Sequence, residues 1–196
     1  MVITEKAVPS TMTEQELLTA DDLLRLHSEG VRGELIRGVL EGTETMPTGA
    51  RHGKIVVRLS AALFAFVEPE QLGTLLSGDP GVRLEHDPDT VRAPDIAYFS
   101  TARMPIGADI PGFVEVAPDL VVEILSPSDS LRRVHDKARM WLSHGVSLVW
   151  VVHPDTRAID VHRPGRAVVT FAGDDNLDGG DVLDGFACAL AEIFGP

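Results

Sequence analysis

Five of the six residues from Leu120 to Leu125 are aliphatic, and the sixth is Glu123. A short apolar, β-branched run ended by Ser126-Pro127 reads as a buried strand. An ionised carboxylate inside such a strand is costly unless it is paired or bound to a cation. The fold must therefore bring positive charge to Glu123. A second segment, Val91 to Phe99, is also strand-like and also holds one carboxylate, Asp95, among apolar residues. Two carboxylates on neighbouring strands can share a divalent cation, which offsets both desolvation costs. Taken alone, Pro94-Asp95 reads more simply as a turn cap, and Glu123 as an edge-strand residue facing water.

The third part lies just downstream. Ser130 caps a predicted helix over 131–144 that Gly145 ends, with Leu131, Val134, Ala138, Trp141 and Gly145 on its buried stripe. Lys137 falls at the margin of that stripe. From there a lysine can lay its stem on apolar surface and extend its ammonium into an acidic pocket. As an isolated residue it would be a solvated helix lysine; the triad is what raises it. Asp95, Glu123 and Lys137, with the backbone carbonyl of Ile124 completing the coordination, suit metal-assisted phosphodiester hydrolysis.

The rest of the chain supplies a frame of alternating helices and strands. Residues 1–12 read as a loose tail, and Thr13 with Glu16 as a capping box. The leucines from Leu17 to Leu26 predict either one helix bent near Ala20 or two short ones, ended by Gly30. Glu34 to Glu41 reads as a hairpin turning at Arg37-Gly38, and a loop through Pro47 and Gly49 follows. Residues 51–67 have helical apolar spacing at Ile55, Val56, Leu59, Ala62, Leu63 and Phe66. Strands are predicted at Leu72–Leu76, Val82–Glu85, Ser147–Val152, Ala158–His162 and Ala167–Phe171. The Pro- and Gly-rich stretch 100–118 reads as a long surface loop. Phe186 to Phe194 closes the chain as a helix or strand-helix. The pattern implies one domain of α/β or α+β class with a mixed sheet.

Charge and cysteine content narrow the setting. The 196 residues carry a formal charge of −13, which disfavours non-specific attraction to polyanions unless basic residues cluster locally. Arg51, Lys54 and Arg58 in one predicted helix, and Arg132 and Arg133 in another, are such clusters and are candidates for phosphate contacts. Cys188 is the only cysteine, so no intrachain disulfide forms and a reducing cytoplasm is the simplest home. No apolar signal segment and no run of ~20 apolar residues is present. His135, His144, His153 and His162 show no metal-ligand spacing. The aspartates from Asp174 to Asp184 match a calcium loop only in composition and read as a solvated turn. Ser126 and Ser128 lack a nucleophile-elbow context.

Pro94-Asp95, Glu123 and a downstream lysine resemble the PD-(D/E)XK nuclease superfamily. The full order resembles more closely the restriction-endonuclease family called Uma-two. That order is Glu34-Leu35-Ile36, Pro47, His52, Arg92-Ala93-Pro94-Asp95, Val122-Glu123-Ile124-Leu125-Ser126-Pro127-Ser128, Lys137 and Val149-Trp150-Val151-Val152-x-Pro154. The resemblance runs from about Thr13 to Phe194. It implies a restriction-endonuclease-like fold, Mg²⁺ or Mn²⁺, a DNA substrate, a homodimer, and Glu34 and His52 near the pocket. Read without it, Glu34 is a hairpin charge and His52 a hydrogen-bonded surface histidine. Three departures stand out. Leu125 occupies the superfamily's usual lysine position, which Lys137 replaces from the next helix. Arg133 stands where an aspartate is frequent. Trp141 and His153 stand where tyrosine and aspartate are frequent. The competing readings are a non-catalytic accessory dimer of the same fold and a hydrolase of a small phosphate compound.

Overall fold

The computed structural model describes residues 17–42, 49–126 and 129–195. The predicted Thr13–Glu16 capping box and Pro127-Ser128 lie outside them, as does the side chain of Leu131. Helix α1 (Ala20–Ser28) starts at Thr19, whose hydroxyl accepts from the Asp22 amide while the Asp22 carboxylate accepts from the Thr19 amide. Strands β1 (Gly33–Ile36) and β2 (Val39–Gly42) form the predicted hairpin. Its two-residue turn needs positive φ at both centres, and Arg37 and Gly38 adopt φ 49° and 78°. Helix α2 (Ala50–Val67) buries His52, Ile55, Leu59, Leu63 and Val67.

Strands β3 (Gly73–Ser77), β4 (Val82–Glu85), β5 (Thr90–Arg92), β6 (Ile96–Ser100) and β7 (Leu120–Ile124) precede helix α3 (Leu131–Ser143). The Ser130 hydroxyl caps α3 by accepting from the Arg133 amide. Strands β8 (Leu148–His153), β9 (Ala158–His162) and β10 (Val169–Ala172) follow. The six-stranded sheet has the order β10-β9-β8-β7-β6-β3, mixed because β7 and β8 run parallel. The α3 crossover accounts for that pair.

The segment Val91–Phe99 is not one strand. β5 belongs to a four-stranded antiparallel sheet, β2-β1-β5-β4, and β6 to the six-stranded one. The chain changes sheets at Ala93-Pro94-Asp95. Proline has no N–H to give to either ladder, so it fits a crossing point. The Ala93 amide is taken up by the Glu34 carboxylate at 2.8 Å. The acidic stretch read as a solvated turn also holds structure: β11 (Asn176–Gly179) and β12 (Leu183–Ala189) pair antiparallel and lead into helix α4 (Leu190–Phe194).

Two apolar layers sandwich the large sheet. On one face α2, β12 and α4 cover Ile96, Val122, Ile124, Trp150 and Val152. On the other, Val134, Ala138 and Trp141 of α3 cover Ala97, Val121, Val149 and Val151. The long loop 101–118 is pinned by Arg103, which pairs with Asp119 at 2.8 Å and donates to the carbonyls of Ala117 and Gly145. No helix among the described residues is long and apolar enough to cross a membrane.

The small sheet is held to α1 by one buried carboxylate. Asp89 accepts from the Ala20 amide at 2.6 Å and from the Arg83 guanidinium at 2.7 Å. Burial pushes its pKa up, but the Ala20 amide, Arg83 and the Asp87 amide outweigh this and hold it below the ordinary value of 3.8. Asp89→Ala would orphan the Ala20 amide and leave the Arg83 guanidinium with only its 3.4 Å contact to Glu115. The expected loss is about 3 kcal/mol at pH 7, measurable by urea unfolding. Because the folded pKa lies below the unfolded one, wild type should lose this contribution as pH falls below about 4. The variant should lack that component of its acid sensitivity.

Candidate active site

The two sheets meet where Asp95, Glu123 and Glu34 converge. β6 and β7 are antiparallel with Ile96 opposite Val122, so one step further places Asp95 opposite Glu123. Strand alternation puts Glu123 on the α3 side, with Val121. On β1 and β5, Leu35 lies opposite Val91, which places Glu34 beside Arg92. The sheet switch at Pro94 thus sets one cross-strand pair against the other.

Glu123 is 8% exposed and fully partnered. Lys137 donates to its Oε2 at 2.9 Å and the Trp141 indole to its Oε1 at 2.7 Å. Lys137 also lies 3.4 Å from Glu34 Oε1 and donates to the Ala93 carbonyl at 3.4 Å. Glu34 pairs in turn with the buried Arg92 at 3.0 Å. Leu125, where the superfamily pattern has its lysine, packs instead against the α3-side core. The ammonium reaches the same carboxylate from the second turn of α3.

The Asp95 carboxylate is held from two sides. Its Oδ2 accepts from the Ile124 amide at 2.6 Å, and its Oδ1 lies 3.1 Å from His52 Nε2. His52 enters from the first turn of α2, around the strand ends. Five predicted residues, Asp95, Glu123, Lys137, Glu34 and His52, therefore share one cluster. The Ile124 main chain adjoins it through Asp95.

Asp79 is the member that sequence reading missed. It sits in the turn Gly78-Asp79-Pro80-Gly81 with φ 58°. The Gly78 amide and the Ser77 hydroxyl both donate to the Asp95 carbonyl, which fixes the turn against the site. The residue as a whole is exposed at the rim. Partial burial of its carboxyl, and then the Asp95 charge, still push its pKa up. The turn residues around Asp79 masked it, because Gly-Asp-Pro-Gly is also what an ordinary turn requires.

The ionisable groups here shift in one direction. Burial pushes Glu123 up to about 7, with the Asp95 and Glu34 charges adding to it and Lys137 opposing. Burial pulls Lys137 down, yet the carboxylates of Glu123 and Glu34 outweigh it and raise its pKa. The hydrogen bond to Asp95 raises His52. Every shift favours added positive charge, as expected where, among the described residues, Glu34, Asp79, Asp95 and Glu123 face Lys137, Arg92 and His52.

The predicted basic residues divide. Arg51 and Lys54 are exposed on the first turns of α2, and Arg132 and Arg133 on the first turn of α3. Arg51 is engaged with Asp155 and Arg132 with Asp136. Arg58 is not at this rim: its guanidinium lies against Gly195, where an added Cβ would come within 2.0 Å of Nη1. A separate groove of about 450 Å³ between α1 and the 101–118 loop is lined by Leu24, Met104, Ile110 and Phe113. Its Arg83 and Arg103 are already paired with Asp89 and Asp119.

A mixed sheet between helical layers, with paired carboxylates and an ammonium at the ends of its central strands, defines a restriction-endonuclease-like protein. Residues 20–191 match the family model Uma2, described as "Putative restriction endonuclease", and the chain belongs to that family. No curated protein matches it. The crystal structure of a "putative nuclease belonging to DUF820" from Anabaena variabilis superposes with a TM-score of 0.76 at 24% identity, covering 90% of this chain and 97% of that one. That likeness shows the shared fold.

Proposed function

We propose that this chain is a divalent-metal-dependent endonuclease that hydrolyses phosphodiester bonds in DNA. The observation that carries the reading is Glu123, a buried carboxylate opposite Asp95 in register and held by the Lys137 ammonium at 2.9 Å. Carboxylates and a main-chain carbonyl are hard oxygen donors suited to Mg²⁺ or Mn²⁺. The negative excess around them fits a cation as well. Asp95, Glu123 and the Ile124 carbonyl would hold it, and when bound it would neutralise phosphoryl charge and acidify a water.

The chain's own residues account for the remainder. Lys137 holds its proton tightly, so it acts as a fixed ammonium beside the phosphate and not as a base. Trp141 keeps the Glu123 carboxylate turned toward the site. Glu34 and Arg92 position Lys137 and brace the Pro94 crossing. His52 orients Asp95. Arg51, Lys54, Arg132 and Arg133 would contact the DNA backbone from the rim, and a homodimer would present two such sites to a duplex.

The deciding experiment pairs cleavage with binding. Supercoiled plasmid should be nicked with Mn²⁺ or Mg²⁺ and left intact in EDTA. Asp95→Asn retains an oxygen for the Ile124 amide but loses the charge; it should stay folded and bind Mn²⁺ at least about tenfold more weakly. Unchanged Mn²⁺ binding would remove Asp95 from the metal site. The charge of −13 favours a second reading, a non-catalytic accessory protein of the same fold. A flat salt dependence of DNA affinity, with no cleavage, would select it.

A further inference from the structure

A second cluster lies on the other flank of α3. Lys137 is two positions after His135, roughly 200° of helix, so His135 points toward β9 while Lys137 points toward β7. Asp160 and His162 alternate onto the same face of β9, opposite Val151 and Val149. One ligand atom from each of His135, Asp160 and His162 lies within 4.8 Å of the other two, the one such group of three among the described residues. These positions show no motif in sequence because a helix and a strand 25 residues apart supply them.

The independent observation is His162. It is 5% exposed, and its Nε2 has no hydrogen-bond partner among the described residues. A buried imidazole nitrogen left unpaired costs free energy unless something absent from the structure takes it up. Asp160 is already oriented as a ligand would be. Thr170 donates to its Oδ1 at 2.6 Å, and the His153 Nε2 lies 2.9 Å from its Oδ2. His135 Nε2 lies 3.9 Å from the same Oδ2. Its side chain is 34% exposed, so a small rotation can close the gap. Ligands on one zinc ion are ~3.3 Å apart, given metal–ligand bonds of ~2.0 Å.

We propose that His135, Asp160 and His162 bind a borderline transition-metal ion such as Zn²⁺, with His153 and Thr170 orienting the carboxylate. Two imidazoles and one carboxylate suit Zn²⁺, Ni²⁺ or Cu²⁺ better than Mg²⁺. The partly exposed His135 side leaves a position for water. The bound ion ties α3 to β9 and so steadies the helix that carries Lys137 and Trp141.

The test uses the full chain stripped with EDTA and titrated with Zn²⁺ by calorimetry and with Co²⁺ by visible absorption. An Asp95→Asn/Glu123→Gln background removes the carboxylate site from the count. One equivalent of Zn²⁺ should bind in that background, with a visible Co²⁺ band. His135→Ala and His162→Gln should each weaken binding at least about tenfold and remove the band. His135 is partly exposed, so its variant stays folded by circular dichroism even where the buried His162 variant does not. No stoichiometric binding in the background protein would overturn the proposal, as would binding indifferent to His135→Ala.

Discussion

Glu123→Gln is expected to lower metal-dependent plasmid nicking by about 10³-fold while making the metal-free protein more stable at pH 8. The two effects share a cause. The folded pKa of Glu123, about 7, lies above its ordinary value of 4.5 because burial and the Asp95 and Glu34 charges disfavour ionisation. A raised pKa means that the folded state binds the proton more tightly than the unfolded chain. That contribution to stability is complete below about pH 4.5 and is lost as pH rises through about 7. At pH 8 the loss is on the order of 3 kcal/mol. Glutamine is neutral at every pH and still offers an oxygen to the Trp141 indole. Thermal midpoints in EDTA should therefore diverge from pH 5 to pH 8, wild type falling more steeply than the variant. Mn²⁺ should restore wild type and leave the variant unmoved. Parallel pH profiles in EDTA would overturn the assignment of Glu123 as the strained carboxylate.

Lys137→Ala is expected to have the opposite effect on stability. It leaves Glu123 and Glu34 buried without their shared ammonium, 2.9 and 3.4 Å away in wild type. Breaking a buried ion pair on one side costs about 3–5 kcal/mol. Lys137 holds the Glu123 pKa down, so its loss should push that pKa higher and steepen the decline in stability above pH 5. Nicking should fall about 10²–10³-fold, because a preorganised charge at the reacting phosphate is lost. Urea unfolding at pH 6 and pH 8 checks the stability, and single-turnover nicking checks the rate. Two partners in one ion pair would then shift stability in opposite directions. A simple structural salt bridge would instead lose stability from either side.

Much of this frame was legible because its signals are local. The Arg37-Gly38 turn, the Ser130 cap and Gly145 stop of α3, and the Glu123 strand each depend on a few adjacent residues. Lys137 could be placed on the correct flank of α3 because helical geometry is regular. Other features were hidden because they depend on distant partners. Val91 to Phe99 has one continuous apolar pattern, yet the pairing of β5 with β1 and of β6 with β7 splits it at Pro94. The aspartates between 174 and 184 obscured the β11–β12 hairpin, whose Leu177, Leu183, Phe186 and Cys188 complete the core under Trp150.

The sequence alone determined which strand carries a carboxylate that burial makes costly, and which helix follows it with a lysine at its margin. Charge, periodicity and capping are properties of neighbouring residues, so they can be read without a fold. Only the tertiary structure decided what else meets that carboxylate. It brought the Trp141 indole to Glu123, Arg92 to Glu34 and the Asp79 turn to Asp95. It also set His135 across from Asp160 and His162. Those contacts arise from sheet register and from helix packing over the sheet, and neither is encoded at any single position.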